Sequence, residues 1–140
     1  MDEKKVNAKI QDGFLYVRAI IEVVGKPKEY VEESLSTHLK NVKSDKKIII
    51  VKESYDAAEP QDNYFGAFAE LEFLIKPDDL MYFCFDYMPS SIEIIEPETI
   101  VLKNNGLTNY LNDMQSRLHS LNTGIIQLRD KNSFYIKNTA

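Results

Sequence analysis

The sequence predicts an α+β domain, an antiparallel sheet carrying two helices on one face, continued by a long amphipathic helix. Three observations predict it. Residues 14–24 and 64–75 alternate between two faces with a period of two, the mark of half-buried strands. Two proline-led segments between and after them carry apolar residues at helical spacing. From Leu107 onward apolar residues recur in alternating steps of four and three, as a two-stranded helical seam requires.

In residues 14–24, Leu15, Val17, Ala19, Ile21 and Val23 share one face, while Tyr16, Arg18, Ile20, Glu22 and Val24 share the other. Asp12-Gly13 ahead of this strand is a turn signal, so residues 6–10 are expected to pair with it as a short strand. Gly25-Lys26-Pro27 ends the strand and opens a helix on Val31, Leu35, Leu39 and Val42. Glu29, Glu32 and Glu33 lie toward its start and Lys40 and Lys43 at its end, matching the helix dipole. Ser44-Asp45 breaks the helix, and residues 46–55 read as a second strand around Ile48-Ile49-Ile50-Val51. Residues 56–62 read as a polar loop containing Pro60.

The third strand, 64–75, sets Phe65, Ala67, Ala69, Leu71, Phe73 and Ile75 against Tyr64, Gly66, Phe68, Glu70, Glu72 and Leu74. Pro77-Asp78-Asp79 opens a shorter helix that Met88-Pro89 stops. Residues 91–95 form the fourth strand, with 99–102 as its extension beyond Pro97. The order strand, helix, strand, strand, helix, strand is the βαββαβ, or ferredoxin-like, arrangement. Residues 1–104 are read as that domain and 105–138 as the heptad helix.

In the helix, Leu111, Leu118, Ile125 and Asn132 take the a positions, and Leu107, Met114, Leu121, Leu128 and Tyr135 the d positions. The remaining faces are largely polar. Such a helix reaches about 45 Å at 1.5 Å per residue, beyond a sheet whose strands run about 17–20 Å. The stripe is also narrower than the band of a helix lying on a core. Gly124 and several asparagines lower intrinsic helicity, so the helix is expected to gain stability from a partner. The alternatives are that it folds back on its own domain or that its distal part frays. The e and g positions (Thr108, Gln115, Asn122, Arg129; Tyr110, Arg117, Gly124, Lys131) carry no complementary charge code. Asn132 either sets register, if buried opposite its mate, or marks where the coil frays.

The sheet face away from the helices is expected to be a second interaction surface, carrying Tyr16, Arg18, Ile20, Phe68, Glu70, Glu72 and Leu74. Arg18 can pair with Glu70 or Glu72 across strands. Residues 15–20 and 64–68 loosely echo ribonucleoprotein motifs, with Tyr16 and Phe68 as stacking aromatics. Glu22, Glu70 and Glu72 share that face, however, and an RNA platform needs basic neighbours.

Charge argues the same way. Residues 1–105 hold 13 Lys/Arg against 20 Asp/Glu, a net of −7, and residues 106–140 hold 4 against 2, a net of +2. An acidic body repels phosphate. No membrane-length apolar run is present, no signal peptide is expected behind Met1-Asp2-Glu3, and the single cysteine fits a reducing, cytoplasmic setting.

No catalytic or metal site and no cofactor is expected. His38 and His119 have no neighbouring nucleophile or carboxylate in a recognised spacing, and Cys84 lies on an aromatic-rich helix turn as a small core residue. Asp56, Glu59 and Asp62 lack a calcium-loop glycine pattern. Glu93, Glu96 and Glu98 have nothing to place a sugar between them.

The run from Phe83-Cys84-Phe85-Asp86-Tyr87-Met88-Pro89 through Glu96-Pro97-Glu98, with Gly25-Lys26-Pro27-Lys28-Glu29-Tyr30-Val31 upstream, resembles a group of small uncharacterised archaeal proteins. The resemblance implies a ferredoxin-like domain with a C-terminal helix and carries over no activity. The expected role is a non-enzymatic interaction module, a homo-oligomer or a binder of a helical protein partner. The first alternative is a ligand-sensing domain with its site at a dimer's sheet interface near Arg18 and Glu72, and the second an enzyme dependent on Cys84, Asp86 or Glu93.

Overall fold

A computed structural model describes the backbone of residues 1–139 and the side chains of residues 1–132. In chain order the elements are α1 (Glu3–Gln11), β1 (Leu15–Gly25), α2 (Lys28–Ser44), β2 (Ile49–Tyr55) and β3 (Glu59–Gln61). There follow β4 (Tyr64–Ile75), α3 (Pro77–Tyr87), β5 (Ser91–Glu96) and the long α4 (Asn104–Thr139). The five strands form one antiparallel sheet in the order β2-β4-β1-β5, with β3 beside the start of β4. Contacts divide the chain into two units, Met1–Val101 and Leu102–Ala140.

The alternation in β1 and β4 produces the sheet's centre. They pair without interruption from Leu15↔Ile75 to Gly25↔Phe65, which puts every apolar face residue of one strand beside one of the other. Leu15, Val17, Ala19 and Ile21 are buried against Ala69, Leu71, Phe73 and Ile75. Val31, Leu35, Leu39 and Val42 of α2 close over them, and the small alanines let the helix approach.

Helix α3 joins the same core through Leu80 and Phe83, whose ring lies 4.8 Å from that of Phe73. It is tied to α2 by the Tyr87 hydroxyl donating to Asp45 Oδ2 (2.8 Å) and by His38 Nε2 donating to the Tyr87 carbonyl (2.8 Å). Cover thins at the sheet edge. Ile92 and Ile94 of β5 lie beside Ala19 and Val17 on this face, yet remain 39% and 41% exposed.

Four local expectations are corrected. Residues 6–10 are helical, not a strand. Asp2 caps α1 by accepting from the Lys5 N–H (2.9 Å), and Gly13 ends it with φ +101°. The Phe14 N–H reaches back to the Lys9 carbonyl and the Gly13 N–H to that of Ile10, a glycine-terminated helix end. Asp-Gly thus closes a helix rather than a hairpin. Residues 56–62 are not all loop, because β3 pairs there with β4 and Asp62 turns the chain with φ 55°. Residues 99–102 form no strand, and the second strand begins at Ile49, three residues later than expected.

Candidate functional site

The sheet face away from α2 and α3 is organised around Arg18. The register aligns Lys52, Glu72, Arg18 and Glu93 across β2, β4, β1 and β5, so charge alternates in sign across all four strands. Three carboxylates meet the one guanidinium: Glu70 Oε1 lies 2.9 Å from Nε, Glu93 Oε2 3.0 Å from Nη1 and Glu72 Oε1 3.6 Å from Nη2. The Nε contact is a charge pair and not a directed hydrogen bond, whereas Nη1 donates to Glu93. The Tyr16 hydroxyl donates to Glu72 Oε1 (3.1 Å). Burial, and then the Glu72 carboxylate it bonds to, push the Tyr16 phenol up from its usual range, with Arg18 opposing.

The structure thus brings Tyr16, Arg18, Glu70 and Glu72 together and adds Glu93. By sequence alone Glu93 groups with Glu96 and Glu98 at the end of the fourth strand. Its partnership with Arg18 depends on β5 lying beside β1, a long-range pairing that no local pattern encodes. Ile20 is half-buried on the same face and Phe68 is 46% exposed beside Glu22.

Leu74 is a correction: instead of contributing to an open surface it is fully buried. Helix α1 contacts β1 and β4, and its residues that lose solvent, Val6, Lys9 and Ile10, are spaced as one helical face. Val6 and Asn7 line a groove with Tyr16, Val51 and Ile95. The helix that was expected to be a strand therefore lies over the Tyr16–Leu74 end of this face.

The second candidate surface is α4, a helix of 36 residues. Leu111, Leu118, Leu121, Ile125 and Leu128 are exposed, three of them by 60% or more. Leu107 and Met114 are half-buried and Asn132 is exposed. Tyr135, the last expected d position, has its side chain outside the described residues. No helix among the described residues is long and apolar enough to cross a membrane.

Sequence reading missed a cleft of about 330 Å³ between α2 and β2, floored by Leu35, Leu39 and Ala67 and rimmed by Lys40, Lys43 and Glu53. Lys43 Nζ pairs with Glu53 at 2.7 Å, and Glu32 accepts from the Ala58 N–H at 3.2 Å, so part of its rim charge is already used in joining helix to sheet. The side chains weighed for chemistry are dispersed. Cys84 is half-buried beside the core and burial pushes its thiol up. Among the described residues no group of three His, Cys, Asp or Glu is placed to hold a metal ion.

No curated protein and no solved structure matches the chain. A family model does, over residues 16–136, from the start of the central strand pair through most of α4. On that span the chain belongs to the MJ0538 family, a description that states no activity.

Proposed function

We propose that this chain is a non-enzymatic interaction module, a ferredoxin-like sheet domain that associates through its C-terminal helix. One observation carries the reading: five large apolar residues at heptad spacing stand exposed along a single helix. Burying a leucine stabilises by about 1.5–3 kcal/mol, so an unpartnered stripe of this length forgoes a large stabilisation that a second helix would recover. The strand order β2-β4-β1-β5 supports the ferredoxin-like reading of the domain. The single thiol suits a reducing, cytoplasmic setting.

The Arg18 face supports a structural role over ligand capture. Its one guanidinium is engaged by three carboxylates, and α1 lies over the adjoining end. A ligand anion would have to displace internal partners that are already in place.

Size-exclusion chromatography with light scattering on the full chain, and on a version ending at Asn104, tests this. A full-length oligomer that becomes a folded monomer on truncation is expected. A full-length monomer whose truncation unfolds would overturn the reading, because the helix would then belong to the domain's own core.

A further inference from the structure

Resting on that reading, we infer that the partner of α4 is a second copy of the same helix running antiparallel to it. Layers form in an antiparallel pair when an a position of one helix meets a d position of the other. With the two seams from 107 to 132 overlapped, Leu111 meets Leu128, Leu118 meets Leu121, and Ile125 meets Met114 of the second copy. Within residues 107–132 only the end layer, Asn132 with Leu107, includes a polar group. The flanking positions fit as well. Arg117 comes beside Gly124, Lys131 beside Tyr110 and Arg129 beside Thr108, so no like charges face each other.

Charge favours this direction over the parallel one. Asp113 and Arg117 cancel in the first half of the helix, while Arg129, Asp130, Lys131 and Lys137 leave the distal part at +2. Residues 1–105 carry −7. Antiparallel pairing brings the basic end of each helix to the point where the other leaves its acidic domain. It also sets the helix dipoles in opposition, which is the attractive arrangement. Parallel pairing gathers both acidic domains at one end and both basic ends at the other. Screening over about 8 Å at physiological ionic strength weakens the charge preference but leaves its sign.

Spin-label distance measurements on the full chain test the direction. In a Cys84→Ala background, single labels are introduced by Asn109→Cys, Ser120→Cys and Gln127→Cys, all at polar positions off the seam. Antiparallel pairing predicts axial offsets of about 30 Å at position 109, near zero at 120 and about 22 Å at 127, at 1.5 Å per residue. The distance profile is then long, short, long. Short and equal distances at all three positions would overturn the antiparallel assignment and leave dimerisation through α4 intact. Light scattering that gives a monomer, with no intermolecular distance at any label, would overturn the association reading itself and this inference with it. Lowering the salt supplies an independent check: the antiparallel dimer tightens a few-fold, whereas a parallel one loosens.

Discussion

At the residue scale, Arg18 is met by three carboxylates. A solvated ion pair is worth at most about 1 kcal/mol, so no single one of its contacts accounts for much. Its removal has a different consequence, because Glu70, Glu72 and Glu93 would then repel one another with no cation between them. Arg18→Met is expected to lower stability by about 1–2 kcal/mol, more than Glu70→Gln alone. The deficit should shrink as salt is raised, and denaturant unfolding at two ionic strengths reads both effects. Tyr87 offers a pH-dependent counterpart. Burial, its bond to Asp45 and the charges of Asp45 and Asp86 push its phenol up to about 12. A group whose folded pKa lies above its unfolded value of about 10 stabilises fully below that value. This contribution is lost as pH rises from about 10 through 12. Ultraviolet titration should show a late tyrosine step that Tyr87→Phe removes, and stability of that variant should fall less steeply in alkali. Of this scale, the pairing of Arg18 with Glu70 and Glu72 was legible, since all three sit at outward positions of alternating strands. Glu93 was not, because its role comes from which strand lies alongside.

At the scale of elements, legibility follows how sharply two faces differ. In β4, buried and more open positions alternate from Ala67 to Phe73, and the strand spans the residues expected of it. Helices α2 and α3 announce themselves by proline, acidic first turns and apolar spacing. Helix α1 has no fully buried residue, and its sheet-facing apolar side rests on little more than Val6 and Ile10. Nothing in so short a stretch distinguishes a helix ended by Gly13 from a hairpin turning on it. Yet α1 decides what becomes of Leu74, which would otherwise stand on an open face opposite Tyr16. Deleting residues 1–11 is therefore expected to cost about 2 kcal/mol, roughly one large apolar side chain returned to water. Thermal and denaturant unfolding check this, and Tyr16 should gain solvent accessibility in parallel. An unchanged midpoint would mean that α1 rests on the sheet without stabilising it.

For the molecule as a whole, charge and apolar surface are distributed unequally between the two contact units. The sheet unit has a continuous buried apolar core, whereas the five leucine and isoleucine side chains of the α4 stripe are exposed. A helix with Gly124 and several asparagines is a weak helix in isolation. If a second copy stabilises it, its helicity must follow mass action. Circular dichroism across a dilution series is expected to lose helical signal as the protein becomes monomeric, while near-ultraviolet signals from the sheet unit's aromatics persist. Helicity independent of concentration would count against pairing.

The thinly covered β5 edge has a consequence for how the sheet stops. An outer strand with unpaired backbone groups is a template on which further strands can add, the first step toward fibrils. Here that strand is only six residues long, its pairing with β1 is broken by a register shift, and Glu93 and Glu96 project from it. Glu96, with the carboxylate that completes the Arg18 row, therefore discourages the same strand of a second copy from lengthening the sheet, since acidic residues of two such strands would be brought together. The apolar pair Ile92 and Ile94 can thus stay partly open to water on a strand whose own acidic residues act as its gatekeepers.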